Sequence, residues 1–378
     1  MLKYTKYYIP IFSTLLLILF ILNGTYYPTI FVILFSLAFI LGDLFIKRDK
    51  EMQSFSYPLI LDLSIYLALP ILFVLVFFVV SIFSNNIPVW YINGFKTILN
   101  IDFLQLQKSF NLVDKVSIIF QAFLLSSTLS IVAGHEMSHR KKNKFDLFIG
   151  NWLLAFSCDC NFAIEHVYGH HKNVCLPNDP ASAKRGENIY LFILKGIVDE
   201  QVSGWELELK RLKRKNINPF TIKNRILQGY LRSIIIALII LGLFGIIGMF
   251  IFFLIAFLSK SALESINYVE HYGLLRERGK PVEARHSWNS NHFLSSVYLY
   301  NVTRHSHHHK NSNLKFWELN PNQKDAPILP YGYLSMLYLV LFLPFMYQKI
   351  MNKELANWDE KFANEYEKNL VKNLNVNV

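Results

Sequence analysis

Charged residues are scarce in this chain of 378 residues, whereas long apolar runs are common. Asp, Glu, Lys and Arg make up 17% of the residues, against about 25% in typical soluble proteins. Hydrophobic residues make up 53%. This composition argues against a soluble domain and indicates an integral membrane protein. The excess of basic residues flanks the apolar runs, which favours charges that set membrane topology over nucleic-acid binding.

Cysteine is also scarce, which excludes a dense disulfide framework. Cys158, Cys160 and Cys175 are odd in number and form no Cys-x-x-Cys metal motif, so we expect reduced thiols on the cytosolic side. A small-residue cleavage pattern is missing after the apolar stretch from Tyr8 to Leu22. This stretch therefore predicts a retained first membrane helix rather than a signal peptide.

The apolar runs predict about six membrane crossings, because a helix needs about 20 apolar residues to cross a hydrocarbon core about 30 Å thick. The run over residues 226–270 is too long for one crossing. Gly242, Gly245 and Gly248 near its middle predict that it folds into a tight helical hairpin. The predicted spans are 7–23, 28–46, 58–84, 116–134, 226–244 and 249–270.

Both termini and all strongly basic loops fall on the same side of these spans, which the positive-inside rule assigns to the cytosol. Residues 135–225 and 271–352 would then form a helical cap on that side. With the spans, the cap would complete one membrane-embedded domain over residues 1–352, followed by a polar, solvated tail over 353–378. Pro344 interrupts the apolar segment 326–347, which we expect to be buried in the cap or to lie at the membrane interface.

Histidine is absent from the first 134 residues and from the last 69, so all 12 histidines lie between His135 and His309. Most of them form four groups at or after predicted cytosolic ends of membrane helices, and His286 and His292 lie between the last two groups. The groups are His135-Glu-Met-Ser-His139, Glu165-His166-Val-Tyr-Gly-His170-His171, Asn267-Tyr-Val-Glu270-His271-Tyr-Gly273 and Arg304-His305-Ser-His-His308-His309.

The spacing of these histidines predicts a metal centre. His135 and His139 are four residues apart and share one face of a helix. The same reasoning puts His166 and His170 on one face, with His171 on the adjacent face. Neutral imidazole suits Fe, Zn, Cu and Ni ions. Eight or nine converging imidazoles exceed what one first-row ion binds, so the pattern predicts two metal ions.

Two other functions match parts of the pattern. His-Glu-x-x-His alone is typical of a zinc metalloprotease with Glu136 as general base, but this function leaves most of the other histidines without a role. A metal transporter or sensor with a histidine-rich cytosolic cluster would need polar residues deep within the spans. The predicted spans contain few such residues.

The four groups together resemble the membrane-bound alkane 1-monooxygenase family, within the fatty-acid desaturase and hydroxylase superfamily. The third group is similar to the pattern that separates alkane hydroxylases and their xylene-oxidising relatives from general desaturases. The segments Asp179–Ala183 and His286–His292 are similar to the family as well. Two departures are visible, because His307 stands where an acidic residue is usual and the tail does not resemble the family.

The resemblance implies an all-α membrane protein in which histidines hold two iron ions. The implied ligands are His135, His139, His166, His170, His171, His271, His305, His308 and His309. Other residues would lie beside the ligands and orient them. These are Glu136, Glu165, Glu270, Asp179, His286, His292 and His307.

The resemblance also implies O2-dependent hydroxylation of the terminal methyl group of medium-chain alkanes in the bacterial inner membrane. The sequence has no visible flavin, haem or four-cysteine iron motif, so electrons must come from outside. The family implies rubredoxin and an NADH-dependent rubredoxin reductase, and a basic cytosolic face would attract an acidic rubredoxin. A related fatty-acyl or aromatic-methyl hydroxylase or desaturase is compatible with the same residues.

Overall fold

The computed structural model describes residues 1–322 and 324–375, and over these ranges the chain is helical with no β-strand. One isolated bridge joins Asn289 to Ile328. The predicted all-α fold is therefore confirmed. The three cysteines are free thiols, as expected from their number.

The α-helices are numbered in chain order, and short π or 3-10 turns join some of them. They are α1 Leu2–Thr5, α2 Ile9–Leu22, α3 Tyr27–Phe45, α4 Pro58–Tyr66, α5 Ala68–Phe83, α6 Val89–Leu99, α7 Phe103–Ser109, α8 Leu112–Ser126, α9 Ala133–His139, α10 Lys144–Phe156, α11 Phe162–Glu165, α12 His171–Asn173, α13 Ile189–Arg214, α14 Arg225–His271, α15 Phe293–Tyr298, α16 His305–Lys310, α17 Tyr333–Phe342, α18 Pro344–Lys361 and α19 Glu365–Asn375. The π segments are Ser127–Val132 and His166–His170, and the 3-10 segments are Lys6–Tyr8, Ala284–His286 and Phe316–Glu318.

Five helical stretches of the described chain are long and apolar enough to cross a membrane, which makes this a multi-pass membrane protein. They are Leu2–Leu22, Tyr27–Phe45, Pro58–Phe83, Leu112–His139 and Arg225–His271. Each predicted span falls on one of these stretches. The fourth stretch runs on to His139, so the first histidine pair lies at the end of a membrane helix rather than after it.

The fifth stretch is broken at Gly245, whose φ of 66° and ψ of −171° suit glycine almost alone. A Cβ atom on Gly248 would lie 3.6 Å from Ile240 and 2.6 Å from Phe244. In a straight helix Ile240 and Gly248 would lie about 12 Å apart along the axis. Their close approach therefore shows that the chain folds back at Gly245. Ser84 Oγ donates to the Phe244 carbonyl at 2.5 Å, which satisfies an acceptor freed by the break. The predicted hairpin is confirmed.

Two compact units are distinguished within the chain. The first unit comprises Met1–Ala38, Phe55–Cys160 and Phe220–Lys260, and the second comprises Phe39–Ser54, Asn161–Pro219 and Ser261–Val378. In the first unit, α9 packs closely on α10 because Gly150 has no side chain. A Cβ atom there would lie 2.6 Å from the Cβ of Met137. This contact fixes the short helix that carries the first histidine pair.

The apolar segment 326–347 divides in the second unit at Leu343, after which Pro344 starts α18. Helix α17 has ten residues, too few for a crossing. Its residue Tyr333 is fully buried, whereas Phe342 is 60% exposed. The segment therefore combines buried and exposed apolar residues, and its helix is shorter than the five stretches that could cross a membrane.

The C-terminal residues differ from the solvated end that their composition predicts. Helices α18 and α19 are packed within the second unit. Their buried residues include Met351, Leu355, Trp358 and Glu367. The first three recur at intervals of three or four residues, so they form one apolar face of α18. The high content of Asn and Lys obscures this face in the sequence.

Replacement of Gly245 by Ala should destabilise the protein by about 1–3 kcal/mol, because alanine must adopt a backbone conformation that is strained for any residue with a Cβ atom. The midpoint of thermal unfolding in detergent measures the effect. Gly242→Ala is the matched control, since a Cβ atom there meets nothing within 4 Å. Equal stability of the two variants would contradict the assigned hairpin.

Candidate metal centre

Four histidines meet in the interior of the second unit and are called the four-histidine group. They are His170, His271, His305 and His309, and one nitrogen of each lies within 4.8 Å of those of the others. The Nε2 atom of His305 lies 3.1 Å from Nε2 of His271 and 2.8 Å from Nε2 of His309. All four residues are buried.

Three separate elements bring these side chains together. His271 is the last residue of α14, and His170 ends the π segment His166–His170. His305 and His309 are four residues apart on α16 and therefore share a face of that helix. The group thus joins residues that are far apart in the sequence but lie at helix ends.

The outer ring nitrogens orient two of these imidazoles. His170 Nδ1 lies 3.0 Å from Asp179 Oδ2, and His271 Nδ1 lies 3.0 Å from the carbonyl oxygen of His286. If Nδ1 carries the proton in each ring, Nε2 presents a lone pair to the centre of the group. Nε2 of His170 is buried and has no hydrogen-bond partner. A cation at the centre would satisfy it, so the residues present fit a metal ion.

The electrostatic environment differs between the rings of the group. Burial disfavours the charged form of His170, but the nearby charge of Asp179 and the contact between them outweigh burial and raise the pKa of His170. The pKa of Asp179 is lowered by the same contact, against the effect of burial. Burial, together with the neighbouring imidazoles, lowers the pKa of His309 well below its usual range. His309 is therefore neutral, which is the form that binds metals.

Three further histidines of the second unit, His166, His171 and His308, meet beside one another and are called the three-histidine group. His171 Nε2 lies 3.2 Å from His166 Nε2 and 3.1 Å from His308 Nε2. The sequence led us to expect His166 and His170 on one face, and their rings do lie beside each other with centroids 5.2 Å apart, although their nitrogens join different groups. The π turn brings the fifth following residue back to the same side, so His166 meets His171 and His170 joins the four-histidine group.

The remaining pair lies in the first unit. His135 and His139 are buried on α9 with ring centroids 4.8 Å apart, so the two rings share a face as predicted. Arg140 ends this helix and binds three carboxylates. They are Glu136 at 2.9 Å, Asp146 at 3.2 Å and Asp62. Glu136 thus forms an ion pair within its own helix turn.

The other predicted neighbours of the histidines have varied partners. Asp179 and Glu270 each contact a member of the four-histidine group, since Glu270 Oε2 lies 3.2 Å from His305 Nε2. The rest contact other residues, namely Glu165 with Ser203 Oγ at 3.0 Å, His286 with Glu367 at 2.9 Å, His292 Nδ1 with Ser290 Oγ at 2.9 Å and His307 Nδ1 with the Asn320 backbone nitrogen at 2.8 Å.

Cys175 lies beside the four-histidine group, although no motif in the sequence marks it. Its Sγ is 4.0 Å from His271 Nδ1 and donates to the His286 carbonyl at 3.1 Å. Burial raises the pKa of this thiol well above its usual value, so it stays protonated. Cys175 therefore shares with His271 the carbonyl that orients the imidazole.

A cavity of about 800 Å³ borders this side of the second unit. Asp179 and Cys175 are buried residues of its lining, whereas Lys184 and Lys195 are exposed and Asp199 is half-buried. Apolar side chains, among them Leu176, Phe192 and Leu207, line the cavity as well. Charged and apolar groups therefore both border it.

Comparison with known proteins identifies the family of this chain. Residues 116–340 match the family model described as fatty acid desaturase. The chain belongs to the fatty acid desaturase family. All 12 histidines lie inside the matched range, whereas α18 and α19 lie beyond it.

The relatives of this chain include alkane 1-monooxygenases and a component of a xylene/toluene monooxygenase. Alkane 1-monooxygenase 1 of Alcanivorax borkumensis is 35% identical over 252 residues, which cover 64% of this chain and 61% of that protein. Alkane 1-monooxygenase of Pseudomonas putida is 35% identical over 63% of this chain and 61% of its own length. The hydroxylase component of the xylene/toluene monooxygenase of Pseudomonas putida is 29% identical, with 65% and 66% covered. The match thus spans about three fifths of the alkane enzymes.

Replacement of Arg140 by Ala should destabilise the first unit by about 3–5 kcal/mol, because it leaves buried carboxylates without their cation. The thermal unfolding midpoint in detergent reports this loss. Lys142→Ala removes an exposed charge two residues away and should change stability by no more than about 0.5 kcal/mol. A similar small effect for both variants would show that the Arg140 ion pairs do not hold the end of α9.

Proposed function

We propose that this chain is an alkane 1-monooxygenase that hydroxylates the terminal methyl group of medium-chain alkanes with O2 at a histidine-bound two-iron centre. The observation that carries the proposal is the convergence of four buried imidazoles in a chain related to alkane 1-monooxygenases. A structural core has no need to direct so many ring nitrogens at one point. Converging imidazoles are expected where a metal ion binds.

The proposed centre has two sets of ligands. The four-histidine group would bind one iron, and the three-histidine group would bind the other. We propose His135 and His139 as further iron ligands because of their His-Glu-x-x-His motif and their shared, buried helix face. Histidine ligands alone would also suit zinc, so the assignment of iron rests on the relatives.

The residues of this chain would prepare the centre in three ways. Asp179 and the His286 carbonyl fix the orientation of His170 and His271, and this raises the basicity of these imidazoles as ligands. Burial of the group keeps bulk water away from the ions. Bound iron would supply the O2 activation needed to attack an unactivated C–H bond, for which side chains have no suitable chemistry.

Electrons would come from rubredoxin, which an NADH-dependent rubredoxin reductase would reduce. The three free cysteines are too few for a four-cysteine iron site in this chain. Basic runs at residues 140–144 and 210–215 would attract an acidic electron carrier. With the positive-inside rule, the same runs support a location in the bacterial inner membrane with the site and both termini in the cytosol. The hydroxylase domain would extend over residues 1–352.

Methyl groups on aromatic rings are a second candidate substrate. The similarity to the hydroxylase component of a xylene/toluene monooxygenase favours this alternative, because that match covers a similar share of the chain, 65% against 64% for an alkane enzyme. The chemistry at the methyl carbon would be the same, and only the shape of the substrate passage would differ. Parallel assays with octane and xylene separate the two substrates.

The full chain, purified anaerobically in detergent, should contain two irons. It should convert octane to 1-octanol when rubredoxin, its reductase, NADH and O2 are supplied. His271→Ala should lose iron and all hydroxylation, because a buried ligand is removed. His307→Asn is the control, since asparagine can still accept the hydrogen bond from Asn320. One zinc per chain with peptidase activity would refute the proposal, and full activity of His271→Ala would refute the ligand assignment.

Replacement of Asp179 by Asn should weaken iron binding by about 10- to 100-fold, because the carboxylate that orients His170 is lost. Competition with a coloured iron chelator measures this affinity in the full-length protein. Asp199→Asn serves as the control, since Asp199 borders the same cavity as Asp179. Equal iron affinity of both variants would show that Asp179 does not support the proposed ligand.

A further inference from the structure

We infer that the C-terminal helices α18 and α19, which lie beyond the family match, hold in place the backbone on which His271 depends, with Glu367 as a positioning residue. The inference rests on the proposed function only in taking His271 as a metal ligand. It assigns a role in the centre to a segment whose composition is that of a solvated tail.

Glu367 is a residue of α19 that contacts Arg285 and His286. Its carboxylate is 1% exposed and lies 2.9 Å from His286 Nε2. Arg285 Nε donates to it at 3.0 Å, and the Asn364 backbone N–H donates at 2.9 Å. Each partner is a donor, so a buried acceptor with two oxygens satisfies all of them at once.

The hydrogen bonds fix the tautomer of His286. The backbone N–H of Glu283 points at His286 Nδ1 from 2.9 Å, so Nδ1 must accept. In the neutral ring the proton is then on Nε2, which donates to Glu367. The imidazole is thus held at both nitrogens, and its backbone is held with it.

The same backbone reaches the four-histidine group. The carbonyl oxygen of His286 lies 3.0 Å from His271 Nδ1 and also accepts from the Cys175 thiol. A shift of this carbonyl would release the ring of His271. Glu367 therefore acts on His271 through one intervening residue, His286.

Helix α18 holds the chain on both sides of this link. Trp358 Nε1 donates to the carbonyl of Arg285 at 2.8 Å, directly before His286. Asp359 accepts two bonds from the guanidinium of Arg185, at 2.6 and 2.8 Å. Arg185 Nε in turn donates to the carbonyl of Gly273, two residues after His271, at 3.0 Å. Helices α18 and α19 thus fix the backbone near the ligand at Gly273 and at Arg285–His286.

The test compares Glu367→Gln with Glu365→Gln in the full-length protein. Gln keeps the size of the buried side chain but loses the charge that binds Arg285. Glu365 is on the same helix, and its side chain is 88% exposed. Each variant is freed of iron in detergent and titrated with Co²⁺, whose visible absorption reports the ligand geometry. Iron per chain is measured in parallel on the protein as purified.

We expect Glu367→Gln to weaken one of two Co²⁺ sites by about 3- to 10-fold and to change its spectrum. This is less than the about 10- to 100-fold loss for a direct partner of a ligand. Trp358→Phe, which removes only the indole N–H, should act in the same direction and carries the test if Glu367→Gln does not fold. Co²⁺ affinities and spectra equal to those of Glu365→Gln in the folded variants would overturn the inference.

His271→Ala separates this inference from the proposed function. If His271→Ala loses one Co²⁺ site while Glu367→Gln and Trp358→Phe bind normally, His271 is a ligand and only the role of the C-terminal helices is wrong. If His271→Ala binds two Co²⁺ ions as the unmodified chain does, the ligand assignment fails, and the inference fails with it.

Discussion

In the buried four-histidine group, Nε2 of His305 lies 3.1 Å from Nε2 of His271 and 2.8 Å from Nε2 of His309, and this crowding is the constraint on which the rest of the second unit depends. Lone pairs so close together repel, and protonated rings would repel more strongly. A shared cation turns the repulsion into attraction. Until it binds, the surrounding fold must hold the rings in place, which explains why the outer nitrogens of His170 and His271 have well-placed partners.

The sequence predicted the existence of the histidine groups better than their partition. Spacing of four residues placed His135 with His139 on a common helix face, because α-helical geometry decides that distance. The same rule placed His166 beside His170, and their ring centroids are 5.2 Å apart, but in the π turn there the nitrogens of the two rings join different groups. The hydrogen bonds of a π turn span five residues instead of four. The Nε2 atom of His166 therefore approaches that of His171, whereas His170 belongs to the four-histidine group. Residue spacing indicates that imidazoles converge, whereas the local hydrogen-bond register decides which ion each could bind.

The membrane helices were predictable because their signal is summed over about 20 residues. The excess length of the apolar run predicted a reversal near Gly242, Gly245 and Gly248, and the structure places it at Gly245. The partners of the ligands carry no comparable signal. Glu367 lies 81 residues from His286 in the sequence, and it stands in the polar segment Asn-Glu-Tyr-Glu-Lys-Asn over residues 364–369. Only tertiary packing, through Leu355 and Trp358 of α18, makes this polar segment part of the interior.

Burial of charged groups follows one pattern in both units. Arg140 in the first unit and Glu367 in the second are each enclosed, and each meets several groups of complementary character. Such contacts add little net stability, because desolvation offsets much of the attraction, but losing one partner is costly. They therefore favour one arrangement of the chain over near alternatives. Arg140 directly follows His139, and Glu367 binds the residue whose carbonyl contacts His271, so this selectivity acts where imidazole orientation matters most.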